Sequence, residues 1–180
     1  MTASKFYDAG PIAQIAINLF YGWGYNFYRK ENQLRADDQL IRGKVSWLLG
    51  LARASVESAE TDYRREFLPA PSRAKPQPDP AAVADAQELE RLSRALGELE
   101  GQIRNQPVPE SDRMAERYRQ EAETLVTLAN HDQQLVGQSE LLRTMLDQQS
   151  GAAIIKNLPA IKEGLAAIGK TLQARQASLL

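Results

Sequence analysis

The chain has 180 residues, 22 basic against 23 acidic side chains, a net charge of −1 and no cysteine. That length buries a core without covalent staples, and the missing thiols exclude disulfides, thiolate metal sites and cysteine nucleophiles. Balanced charge with no stretch rich in Lys and Arg excludes a nucleic-acid footprint, which needs a basic face.

Eight of the twelve aromatic residues fall in the first 28 positions, around a charge-free run from Ala9 to Tyr28 that Arg29 and Lys30 end abruptly. Gly10-Pro11 opens a helix there, because proline is tolerated in a first turn. At 3.6 residues per turn, Gln14, Asn18, Gly22 and Asn26 share one stripe, while Ile12, Ile15, Leu19, Trp23 and Phe27 lie mostly on the other side. Three roles compete for this segment. It is a helix lying in a bilayer interface or docking a partner, with Ile12, Ile15, Leu19, Phe20, Trp23, Tyr25, Phe27 and Tyr28 as contacts, since Trp and Tyr join an apolar body to a polar tip. It is a core helix of a bundle. Or it spans a bilayer, which the run is long enough to do but which its polar stripe and glycines oppose. If it spans or anchors, Arg29, Lys30 and Arg35 outnumber Lys5 and place the helical body in the cytoplasm. Asp8 after Lys5, and no small-residue cleavage pattern, argue against a cleaved signal peptide.

Beyond the aromatic head the spacing becomes seven-residue. Leu34, Ile41, Val45, Leu48, Ala52, Val56, Ala59 and Tyr63 predict one long helix that Leu68-Pro69 ends. Five prolines between Pro69 and Pro80 predict an extended spacer. Asp79-Pro80 supplies a cap and first turn for a second helix, whose Leu89, Leu92, Leu96, Leu99 and Ile103 alternate steps of three and four. A third starts near Ser111 and carries Met114, Tyr118, Leu125, Leu128, Asp132, Leu135, Ser139, Leu142 and Leu146. A fourth follows Gly151 with Ile154, Leu158, Ile161, Leu165, Ile168, Leu172 and Leu179, kinked near Pro159. Residues 110–147 carry eight acids and four bases, against one acid and four bases in 150–180, a polarity that favours pairing these two segments.

The expected fold is therefore all-α: long heptad-patterned helices forming an antiparallel coiled-coil or helical bundle with an aromatic-rich amino-terminal helix. Its expected parts are an anchor or docking helix over 1–28, a long helix over 29–68, a proline-rich linker over 69–80 and a three-helix antiparallel coiled-coil region over 81–180.

Candidate chemistry is sparse. His131 is the single histidine, and Leu128 stands where a di-iron bundle requires the Glu of a Glu-x-x-His pair. Beside Asp132 it forms a nominal proton-transfer pair, but no nucleophile motif accompanies it and a solvated helix residue is the simpler account. Gly22-Trp23-Gly24 neither follows a strand nor reaches a third glycine, so it is a poor phosphate loop. Asp37-Asp38 and Arg64-Arg65-Glu66 read as solvated faces. Asp132 and Ser139 interrupt the apolar seam of the third helix; such positions fix register and partner choice at a cost in stability, so Asp132→Leu is expected to melt higher.

The function expected is non-catalytic, with no cofactor, metal or small-molecule substrate: a membrane-associated scaffold or adaptor that binds protein partners, or itself, through helices. The alternatives are a soluble chaperone-like helical module in the cytoplasm and a secreted bundle that inserts into membranes.

Overall fold

In the computed structural model, residues 15, 18, 19, 34–73, 76–106 and 122–178 are described. Among them are five helices and no strand: α1 (Leu34–Phe67), α2 (Pro80–Arg104), α3 (Ala122–Leu146), α4 (Gly151–Lys156) and α5 (Leu158–Ala177). The all-helical class expected from the spacing is the class that forms.

Each helix ends for a local reason. Arg64 and Arg65 in the last turn of α1 complement the partial negative charge of its carboxyl end; the Leu68 amide makes a last bond to the Arg64 carbonyl at 2.9 Å, and Pro69, which cannot donate, comes next. Asp79 caps α2: its carboxylate accepts from the Ala81 amide at 3.0 Å, with Pro80 in the first turn. Ser150 caps α4 in the same way, accepting from the Ala153 amide at 3.3 Å.

The fourth helix expected from the sequence is two helices. Asn157 closes α4, its amide donating to the carbonyls of Ala153 and Ile154 at 3.1 Å, and α5 restarts at Leu158 with Pro159 in its first turn. Proline in a helix interior loses one hydrogen bond and its ring meets the carbonyl four residues back, costing about 3 kcal/mol. Restarting the helix puts Pro159 where neither penalty applies.

The apolar stripes face one core. Ile41, Val45, Leu48, Leu49, Ala52, Val56, Ala59 and Tyr63 of α1 are buried, as are Leu89, Leu92, Leu96, Leu99 and Ile103 of α2. Leu128, Leu135, Leu142 and Leu146 of α3 join them, with Ile154, Ile161, Ile168 and Leu172 from α4 and α5. At roughly 1.5–3 kcal/mol for each buried Leu or Ile, this burial is the main term opposing chain entropy. The contact between α1 and α2 is the most extensive; α1 also packs on α3 and α4, and α3 on α5.

Polar links tie α1 to α2 along their length. Arg42 donates to the Gln106 carbonyl at 2.7 Å, Ser46 to Glu100 at 3.1 Å, Ser93 to Glu57 at 3.0 Å and the Tyr63 hydroxyl to Asp85 at 2.9 Å. Hydrogen bonds of this kind contribute about 0.5–1.5 kcal/mol each, less than the apolar stripe they run beside.

Close approach decides one junction. A Cβ on Gly151 would stand 2.8 Å from the Tyr63 Cβ and 3.1 Å from the Ala59 carbonyl. The first residue of α4 thus lies directly against α1, and only glycine leaves the room.

Candidate partner-docking surface

The core takes one side of α1 and leaves another apolar stripe outside. Trp47 is 54% exposed and Leu51 is 38% exposed, with Ala54 and Ser58 following on the same side. The reason is angular: at 100° per residue these positions point away from the direction shared by Val45, Ala52, Val56 and Tyr63. The Lys44 ammonium sits 5.6 Å from the Trp47 ring centroid, so a cation flanks the aromatic at one end of the stripe.

Beside this stripe runs an open cleft of about 860 Å³. Leu51, Ala54, Ser58 and Phe67 of α1 form one wall, and Arg143 with the turn from α3 into α4 forms the other. Phe67 is 43% exposed and its ring packs on Tyr63 at 4.5 Å between centroids. Arg143 is held in place by Glu140 and Asp147; its hydrogen bonds to the Glu140 carboxylate are the main reason its guanidinium titrates above the ordinary arginine value. Apolar Leu51, Ala54 and Phe67 share the lining of the cleft with charged Asp62, Glu66, Arg143 and Asp147.

A smaller recess of about 340 Å³ at the other end of the α1–α2 pair contains Arg42 and Arg104. Arg104 there is paired with Glu100 and bonded to Ser46, and Arg42 reaches the Gln106 carbonyl. These internal bonds make the recess a structural joint.

The polar seam residues of α3 are all inside. Asp132 is buried and paired with the equally buried Arg175 of α5. Ser139 and Gln138 are buried next along α3, and among the described residues neither the Ser139 hydroxyl nor the Gln138 carbonyl oxygen has a hydrogen-bond partner. His131 is half-buried, with Nδ1 3.4 Å from the Ser178 hydroxyl. Burial is the first cause of an imidazole pKa below the ordinary histidine value; Asp132 opposes the shift and Arg175 adds to it. Ser178 donates to the Ala174 carbonyl at 3.0 Å and the Asp132 carboxylate faces Arg175. In this arrangement the Asp132 carboxylate is engaged by Arg175 of α5.

Of the candidate docking residues in the head, Ile15 and Leu19 are described: both are helical and half-buried, and Leu19 packs against the core. Ile12, Phe20, Trp23, Tyr25, Phe27, Tyr28, Arg29 and Lys30 lie outside the described residues. Among the described residues, no helix is long and apolar enough to cross a membrane, and no group of three or more His, Cys, Asp or Glu is placed to hold a metal ion.

Reading the sequence by its strongest stripe passed over Trp47, Leu51 and Arg175. Trp47 and Leu51 fall off the buried stripe of α1, which is a legible signal of surplus apolar surface. Arg175 occupies the step between Leu172 and Leu179 where the three-four alternation expects a seam residue.

Comparison with known proteins brings no family to this chain: no family model matches it, and no curated protein or solved structure matches it either.

Proposed function

We propose that the chain is a non-catalytic helical scaffold or adaptor that holds a protein partner on the outer stripe of α1, attached to a membrane through residues 9–28 with its helical body on the cytoplasmic side. The observation that carries the scaffold reading is a large exposed aromatic, Trp47, continuous with Leu51 and an open cleft on a helix otherwise well packed. Buried Trp and Arg anchors dominate binding energy where partners meet. The antiparallel coiled-coil arrangement belongs to the same reading. It is supported by the α1–α2 links, in which residue numbers rise on α1 (42, 46, 57, 63) as they fall on α2 and the residues beyond it (106, 100, 93, 85).

A photo-crosslinking residue at position 47, introduced into the protein in its native cells, tests the docking surface. Adducts at that position and none at the exposed Gln102 support it; equal yields at both would remove it. Membrane attachment is tested by carbonate-wash sedimentation of the full chain against a chain lacking residues 1–28. Pellet retention lost on deletion is the expected result.

One observation favours a second reading, a soluble helical binding module: Leu19, in the middle of the charge-free run, packs on the core. In that case the full chain stays in the supernatant and the docking surface on α1 is unchanged.

A further inference from the structure

We propose that the occupant of the α1 outer stripe is a second copy of this chain, the two α1 helices packing antiparallel about the Leu51–Ala54 midpoint. This rests on the docking surface assigned above and names its partner.

The stripe extends further than Trp47 and Leu51. Leu40, Lys44, Trp47, Leu51, Ala54, Ser58, Thr61 and Arg65 follow one another by alternating steps of four and three, none of them buried, on the side of α1 away from the core. Such spacing keeps one line of residues facing a partner helix over roughly 40 Å.

Residue size along the stripe is uneven in a way that suits its own reversal. Turning a second α1 end for end places Trp47 opposite the partner's Ser58 and Leu51 opposite the partner's Ala54, each large side chain meeting a small one, twice over by symmetry. Leu40 falls opposite the partner's Arg65, whose methylene stem suits an apolar neighbour while its charged head stays in water. Charge follows the same operation. Lys44 lies towards one end of the stripe and Asp62, paired with Arg65 of its own helix at 3.2 Å, towards the other; reversal adds Lys44 of one copy as a second cation beside the partner's Asp62. A parallel pairing would stack tryptophan on tryptophan and set Lys44 against lysine and Asp62 against aspartate. The cleft along Leu51, Ala54 and Ser58 gives the amino-terminal half of the second α1 a place to lie.

Sedimentation equilibrium of the full chain tests this. The chain is expected to be a dimer at micromolar concentrations. Leu51→Lys, at an exposed position, is expected to weaken dimerisation at least tenfold while the far-ultraviolet circular dichroism keeps its helical signature. Lys44→Glu is expected to weaken it severalfold, and Lys44→Glu combined with Asp62→Lys to restore it, which a merely apolar contact would not do. A monomer at all concentrations overturns the proposal, as does a dimer indifferent to Leu51→Lys or one that the double charge reversal does not rescue. The adduct at position 47 separates the two readings: a mass of two copies supports self-docking. An adduct to a different protein with a monomeric purified chain overturns self-docking and leaves the scaffold standing; no adduct with a monomeric chain removes both.

Discussion

Asp132 on α3 and Arg175 on α5 form an ion pair inside the helical core, each with 1% of its surface exposed. Two charges taken out of water cost several kcal/mol each, and their mutual attraction offsets that only while both are present. The pair therefore holds only as a unit, and removing either partner leaves a buried charge uncompensated.

This pairing reverses the expectation drawn from the seam alone. Asp132→Leu strands a buried guanidinium and is expected to destabilise the fold by about 3–5 kcal/mol. Replacing both partners, Asp132→Leu with Arg175→Met, is expected to be neutral or stabilising by up to about 4 kcal/mol. Urea unfolding of the parent and both variants checks it; a single Asp132→Leu variant as stable as the parent would mean that the pair contributes nothing.

His131 gives the fold an acid-sensitive step. Its folded-state pKa lies below the ordinary value of 6.5, chiefly through burial. The unfolded chain then binds the proton first, so stability is fully present above pH 6.5 and falls as the pH drops towards the folded-state pKa. Thermal melts between pH 7.5 and 5 are expected to show this decline, and His131→Gln to flatten it. An identical pH profile in the variant would remove His131 from the account.

Gln148 follows α3 with φ of 54°, left-handed backbone that an L side chain enters at a cost of about 1–2 kcal/mol. The reward is a reversal tight enough for the Gln149 amide to reach the Leu146 carbonyl at 3.3 Å. Gln148→Gly is expected to stabilise the chain by about 1 kcal/mol, or about 2–4 °C in Tm for a protein of this size. A lowered Tm would show that the Gln148 side chain makes a compensating contact.

Gly151 is the opposite case, required for space. Gly151→Ala drives a methyl into the Tyr63 Cβ and towards the Ala59 carbonyl, one of them backbone that cannot rotate away. A loss of about 1–3 kcal/mol is expected, with α4 displaced from α1. Gly169→Ala, where nothing lies within 4 Å, is the control and is expected to be neutral or slightly stabilising.

Much of the fold was legible because helical burial is periodic and local. The three-four steps of Ile41 to Tyr63 and of Leu89 to Ile103 name the residues that end up inside, and Asp79-Pro80 announces where α2 begins. These follow from the pitch of the helix and from the donors its first turn leaves open, both properties of a short stretch of chain. The seam position of Asp132 was equally readable, since spacing alone puts it among the leucines.

What tertiary structure decided is everything that depends on two distant segments. Arg175 is 43 residues from Asp132, and no local rule says that those charges meet; only the packing of α3 on α5 does, and it changes the meaning of Asp132 from a weak seam position to half of a pair. The division at Asn157, by contrast, has a local cause, the cost of keeping Pro159 inside one helix. Trp47 and Leu51 stand off the buried stripe of α1, so their surplus was legible in the spacing. That α2, α3 and α4 leave them exposed was settled by the packing, because the hydrophobic effect sets how much surface is buried but not against which neighbour.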